Sequence, residues 1–314
     1  MRRVTTAWPI PTRLNLALVA LVTAAALLLF ALAGRVPAGW PLALVALAFS
    51  FVGLTAYALL HEATHDNLHP DPRWNAWLGR LVGALFPVPF SLVRVTHQGH
   101  HLRNRTRFES FDVLEPGDPP LLTWLQWYGI LLGFFWPLVP LGALLFSLAP
   151  GLLRTRAFTR LRTASYLLSD VRAPAVRLIR LELLGLAAFF VAVLALLEWR
   201  WERLLLLYAA FAFNWSTRQY VGHAFAPREV IEGAFNLRAG RLTSALLLRG
   251  EHDLNHHRRP DVPWLHLPRL TRPGDARPIY WRHYLRQWLG PRRHADPPPE
   301  SLAELPLSVH DAAA

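Results

Sequence analysis

The sequence predicts an all-α integral membrane protein with about four transmembrane helices, a re-entrant or interfacial segment, and a cytoplasmic helical cap that carries the histidines. Three observations carry this reading. Of 314 residues 53% are hydrophobic and the mean hydropathy is +0.23, too apolar for an ordinary soluble protein yet long enough for one membrane domain. Several apolar runs are about 20 residues long, which as helix crosses a hydrocarbon core of roughly 30 Å. Ten of the 14 histidines lie in or beside short tracts next to those runs.

Taken in order, Leu14–Ala33 has no charged residue and forms the first predicted span. Arg2 and Arg3 before it and Ala31, Leu32 and Ala33 at its end resemble a secretion signal. The apolar run exceeds the roughly 7–15 residues of such a signal, so a spanning helix is the better reading. After a turn containing Gly34, Pro37 and Gly39, Pro41–Leu60 is the second span, and Leu181–Leu197 and Leu204–Tyr220 are the third and fourth. The last of these turns more polar beyond Trp215. Leu121–Pro150 is also apolar, but Pro137 and Pro140 interrupt it and remove backbone donors.

Orientation follows from arginine. Arg154, Arg156, Arg160, Arg162, Arg172, Arg177 and Arg180 fall between Pro150 and Leu181, and the carboxy-terminal third is similarly basic. The positive-inside rule puts both in the cytoplasm. With the tract at 97–101 on that same side, Leu121–Pro150 cannot cross only once, so a re-entrant hairpin or two short halves is expected. Both termini and all histidine tracts then face the cytoplasm, from the cell (inner) membrane. Residues 1–294 read as one domain, and 295–314, beginning Ala-Asp-Pro-Pro-Pro, as a flexible extended tail.

The formal charge of +12 is carried by arginine alone, since lysine is absent. Codon bias and juxtamembrane anchoring explain this better than nucleic-acid binding, and basic flanks gain about 1 kcal/mol per residue near anionic headgroups. The absence of cysteine excludes disulfides, iron–sulfur ligation and thiol nucleophiles.

The histidine tracts are His61-Glu-Ala-Thr-His65 with His69 beyond, His97-Gln-Gly-His100-His101, a lone His223, and His252-Asp-Leu-Asn-His256-His257. Residues three and four apart share a helix face, so His61 with His65, and His97 with His100 and His101, can each aim at one point. That is what a metal site between helices requires. In the late tract His252 and His256 are four apart, whereas Asp253 stands three before His256 and four before His257. Spacing leaves His252 and Asp253 both open as ligands. His223, at the end of a span, is a further candidate. So many imidazoles exceed the needs of one tetrahedral zinc and suit a pair of metals. His69 sits beside Pro70 at a turn, and His266, His283, His294 and His310 stand alone; isolated histidines are ordinarily hydrogen-bonded core or surface residues. Glu62, Asp66, Asn104, Glu109, Asp112 and Glu251 are near enough in sequence to hold imidazole tautomers.

The pair at 61 and 65, the His-x-x-His-His tract at 97–101, and the late His256-His257 followed by Pro260-Asp-Val-Pro-Trp264 resemble the membrane fatty acid desaturase superfamily, over roughly Pro41 to Leu270. That superfamily includes fatty acid desaturases, carotenoid ketolases and hydroxylases, and lipid hydroxylases. The resemblance implies two non-haem iron ions at the cytoplasmic face, dioxygen as co-substrate, and an external electron donor of ferredoxin or cytochrome b5 type. It also implies a long apolar substrate and ligands among His61, His65, His97, His100, His101, His223, His252, Asp253, His256 and His257. Removing hydrogen from an unactivated methylene is chemistry that a cofactor supplies while protein supplies position and exclusion of water. This sequence departs from the superfamily in its late box, where Asp253 takes the place of the usual first histidine. An acyl-lipid or fatty acid desaturase is the first expectation, and a carotenoid ketolase or hydroxylase or a lipid hydroxylase the second.

Other classes fit less of the chain. His61-Glu62-Ala-Thr-His65 also satisfies His-Glu-x-x-His, two zinc ligands and a general base of a metalloprotease, but leaves His97, His100, His101, His256 and His257 without a task. A haem-carrying electron-transfer protein needs histidines facing each other within the bilayer and has no use for doublets. A metal-storage protein would bind metal without consuming oxygen.

Overall fold

The computed structural model describes residues 8–149, 151, 155 and 173–302. Arg2, Arg3, the arginines from Arg154 to Arg172 and the tail beyond 302 lie outside the described residues. The described chain is mostly helical. Helices α1 (Thr12–Arg35) and α2 (Trp40–Thr64) occupy the first two predicted spans, with Pro41 in the first turn of α2, where no intrahelical N–H partner is lost. Asp71 then caps α3 (Pro72–Leu85), its carboxylate accepting from the N–H groups of Arg73 and Trp74. Helix α4 (Phe90–Arg103) follows after a 96° bend and carries the tract at 97–101.

Leu121–Pro150 becomes two short helices, α5 (Pro120–Leu131) and α6 (Leu138–Leu148), with Pro137 at the start of the second. Then come α7 (Ala173–Leu196) and α8 (Trp201–Gln219). Among the described residues, α1, α2 and the 175–196 stretch of α7 are long and apolar enough to cross a membrane, and α3 with α4 would be a fourth if counted as one broken span. The expected fourth span, Leu204–Tyr220, does form as α8, but Glu202 and Arg203 in its first turn and Asn214, Ser216, Thr217, Arg218 and Gln219 in its last turns make it too polar to join that set. The remainder is α9 (Arg241–Leu246), α10 (Asp253–Arg258), a 3-10 helix at Trp264–Leu270 and α11 (Tyr280–Gln287). A short parallel pair joins β1 (Val113–Leu114) to β2 (Arg292–Arg293).

Helix α2 is the central element, packed against α1, α3, α4, α8 and α9. Lipid is as apolar as leucine, so association here rests on close packing and hydrogen bonds rather than on exclusion of water. Phe30, Phe49, Tyr208 and Phe211 interlock between α1, α2 and α8, with Phe49 5.0 Å from Phe30 and 5.2 Å from Tyr208 between ring centroids. Gly53 lets α8 approach, because a methyl group there would overlap the Phe211 ring. The outer faces carry exposed Leu21, Leu28, Leu44, Leu47 and Leu184, a surface suited to acyl chains.

One end of the bundle gathers the amino end of α1 and the carboxyl ends of α2 and α8. Polar staples close it. Buried Asn15 donates to the carbonyl of Leu68 (2.9 Å) and accepts from the Trp264 indole (3.0 Å), tying α1 to the loop after α2 and to the 3-10 helix. Glu182 on α7 accepts from Arg80 of α3 and from the backbone and hydroxyl of Ser91 of α4. The described start of the tail, residues 295–302, is fastened to the rest: Arg228 donates to the Asp296 carbonyl, and the Leu302 N–H to that of Leu102.

Candidate metal centre

The carboxyl end of α2 presents His61 and His65, α4 presents His97, His100 and His101, the turn after α8 presents His223, and α10 presents His256 and His257. Chain segments far apart in sequence thus meet at one point. Two groups result. The ligand atoms of His61, His65, His97 and His256 lie within 4.8 Å of one another, and so do those of His100, His223 and His257. His101 stands between them, its Nε2 3.2 Å from His97 Nε2 and 3.0 Å from His256 Nε2, and its ring 4.5 Å from that of His257.

In the late tract neither His252 nor Asp253 belongs to either group, and the start of α10 sets the two apart. His252 precedes its first turn, on a bridge with Asn236, and lies outside both groups; burial, with the charges of Arg277 and Arg249, pushes its pKa down to about 4. Asp253 instead sets a carboxylate oxygen 3.1 Å from His223 Nε2. Of the two residues that spacing left open, Asp253 is the one beside the second group. Helix α10 is only six residues long and is held from outside. The Asn236 side chain donates to Asn255 Oδ1 and accepts from the Asn255 backbone N–H, the Asn255 side chain also donates to the Leu267 carbonyl and Thr271, and Arg258 pairs with Glu232 and Asp275.

Glu109 accepts from His100 Nδ1 at 2.5 Å. That fixes the proton on Nδ1 and leaves Nε2 as the lone-pair donor. The Gly233 carbonyl does the same for His223 Nδ1 (3.2 Å), and Asn104 holds that carbonyl in turn. Glu62 accepts from the Trp264 N–H (3.0 Å) and lies 3.8 Å from His61 Nδ1. The other expected orienting groups are used elsewhere. Asp66 pairs with Arg94, and Asp112 with Arg105 and Tyr220. Glu251 is buried 3.9 Å from His252 rather than beside either group.

The site fits metal on its own geometry. His65 Nε2 is buried with no hydrogen-bond partner, a costly state for a polar atom unless something coordinates it or a neighbour shares a proton, and His101 Nε2 faces the Nε2 atoms of His97 and His256 at 3.2 and 3.0 Å, a convergence of ring nitrogens that a shared cation satisfies. Burial, reinforced by neighbouring imidazoles, holds His256 and His257 well below the ordinary imidazole pKa. Neutral imidazoles are the metal-binding form. An imidazole-rich set with one carboxylate suits iron among other first-row metals.

The family profile described as fatty acid desaturase matches residues 35–291, and so takes in every residue of both groups. The chain belongs to the fatty acid desaturase family. It is an enzyme, an oxidoreductase of the membrane, from a family that is iron-dependent and acts on lipid. No curated protein matches the chain closely enough to count as a relative.

The remaining histidines have ordinary partners. His69 accepts from the Asp71 N–H, His266 donates to the Pro9 carbonyl, His283 to that of Ala224, and His294 accepts from the Asp296 N–H. His310 lies outside the described residues. The supports that sequence reasoning missed are Trp264, Gly233, the Asn236 and Asn255 pair, and Gly222. Trp264 stands in the motif after His257 without a role of its own, and the signal of the others is asparagine and glycine close to the histidine tracts. A methyl group at Gly222 would overlap the Asp253 carboxylate. Gly222→Ala is therefore expected to displace Asp253 from His223 and to lower metal content and turnover together, measured on purified protein. Unchanged metal content would remove Asp253 from the centre.

Proposed function

We propose that this protein is a dioxygen-dependent acyl-lipid or fatty acid desaturase holding two non-haem irons. His61, His65, His97 and His256 hold one ion and His100, His223 and His257 the other, with His101 between them and Asp253 completing the second. The observation that carries this reading is the setting of the two groups. His61, His97, His100, His223, His256 and His257 all line one cavity of about 280 Å³, whose other walls include Leu54, Tyr57, Phe135 and Trp215. An apolar chain entering that space passes both groups.

Iron bound there would supply the reduction of dioxygen to two waters, using two hydrogen atoms from the chain, that is two protons with two electrons, and two further electrons with two protons from outside. The protein does the rest. Apolar walls bind the chain and exclude water, and Glu109 and the Gly233 carbonyl hold proton positions on His100 and His223. The outside electrons imply a donor of ferredoxin or cytochrome b5 type. The arginine distribution supports a cytoplasmic centre in the cell membrane, with residues 1–294 as one domain.

Expression in a host with saturated membrane lipids tests the reaction. The account expects fatty acids that have lost two hydrogens; products that have gained oxygen instead would reassign it to hydroxylation or ketolation. Glu62 separates it from a zinc hydrolase. Since that carboxylate is taken by the Trp264 N–H and glutamine can still accept there, Glu62→Gln is expected to keep partial desaturation. Complete loss with metal retained would favour a base role.

A further inference from the structure

The cavity that reaches the histidines also has Arg218 and Tyr280 in its wall. Arg218 occupies the last turn of α8. Its Nε donates to Asn214 Oδ1 at 2.7 Å, Asn214 is held by Ser50, and the guanidinium lies 4.9 Å and 5.5 Å from the ring centroids of Trp281 and Tyr284. The arginine is thus fixed in place, yet among the described residues no carboxylate pairs with it. Arg105, Arg228 and Arg258 each have one.

Tyr280 is fully buried, and its hydroxyl is within hydrogen-bond reach of Arg218, which can only donate to it, so that its own proton has no acceptor among the described residues. The strongest charge acting on it is Arg218. Of the nearby carboxylates, Asp253 is turned onto His223, and Glu251 lies 3.9 Å from His252. A buried hydroxyl proton without an acceptor costs free energy, and the half-buried guanidinium beside it has no counter-anion among the described residues. An anionic oxygen reaching both relieves both, and the guanidinium fork matches carboxylate and phosphate geometry.

We propose that Arg218 and Tyr280 anchor the anionic head of the substrate, so that this enzyme takes acyl chains ending in a carboxylate or phosphate and discriminates against chains with an uncharged end. The inference rests on the cavity being the substrate site. It makes Arg218 a specificity-determining residue, felt in substrate binding.

Equilibrium binding of radiolabelled palmitate, hexadecyl phosphate and hexadecanol to the full chain in phosphatidylcholine nanodiscs tests it, with iron content measured on the same preparations. Wild-type protein is expected to prefer the anionic ligands over hexadecanol. Tighter binding of palmitate assigns a free acyl chain, and tighter binding of hexadecyl phosphate a phospholipid. Arg218→Gln should weaken the anionic ligands at least about tenfold, as loss of a charge-assisted hydrogen bond implies, and leave hexadecanol unchanged. Tyr280→Phe should weaken palmitate a few-fold with iron content unchanged; this variant decides the matter if Arg218→Gln does not fold. Equal binding of all three ligands, or full palmitate affinity in Arg218→Gln or in Tyr280→Phe, overturns the anchor. Head-group preference in protein that takes up no iron would leave the anchor standing and remove the iron reading, whereas iron-loaded protein without that preference would do the reverse.

Discussion

Alanine in place of His100 is expected to abolish desaturation and to lower bound iron from about two per chain to about one, with membrane insertion intact. The expectation rests on where each ring nitrogen points. Glu109 holds Nδ1, so Nε2 is the atom offered to the group shared with His223 and His257. Removing it leaves that group with His223 and His257, Asp253 beside them, and from α4 only His101, which stands between the two groups. Substitution of His101 should be as damaging, because its Nε2 sits close to both His97 and His256. Turnover on isolated membranes and iron on purified protein provide the check. Full activity in either variant would remove α4 from the metal centre.

The second large effect concerns the frame. Arg105 and Asp112 are both fully buried and joined at 2.5 Å, and the Tyr220 hydroxyl accepts from Arg105 with Asp112 Oδ1 (2.9 Å) and the Glu109 carbonyl (2.8 Å) in reach of its single proton. Asp112 also accepts from the Phe225 N–H, two residues beyond His223. This network therefore ties the loop bearing Glu109 to the turn bearing His223. Asp112→Ala leaves a buried guanidinium without its anion, which costs about 3–5 kcal/mol. A large fall in melting temperature is expected in detergent. Asp261→Asn, which breaks an exposed pair with Arg259, should cost about 0–1 kcal/mol. Equal melting of the two variants would contradict the assignment of Asp112 as a structural anchor.

Much of this was legible before any coordinates. Helices α1 and α2 follow from uncharged runs of membrane length, and spacings of three and four put His61 with His65, and His97 with His100 and His101, on shared faces. The late tract was not legible in the same way. Whether His252 or Asp253 joins the site depends on where α10 starts, and that start is set by Asn236 contacts made from 19 residues away in sequence. Glu109 was one of six candidate orienting groups, and only the fold shows it on His100 while Asp66 and Asp112 serve arginines. The fourth span is a similar case. Apolar composition carries α8 into the bundle, but the polar residues of its last turns are spent on the site end, where Arg218 and Asn214 form part of the cavity region rather than a lipid-facing surface.

The central claim is that these histidines form a two-iron centre, and metal analysis of the purified, detergent-solubilised protein expressed with iron in the medium tests it most directly. The account predicts about two irons per chain and little zinc. One zinc per chain and no iron would contradict it and return the His-Glu-x-x-His pair to a hydrolase reading.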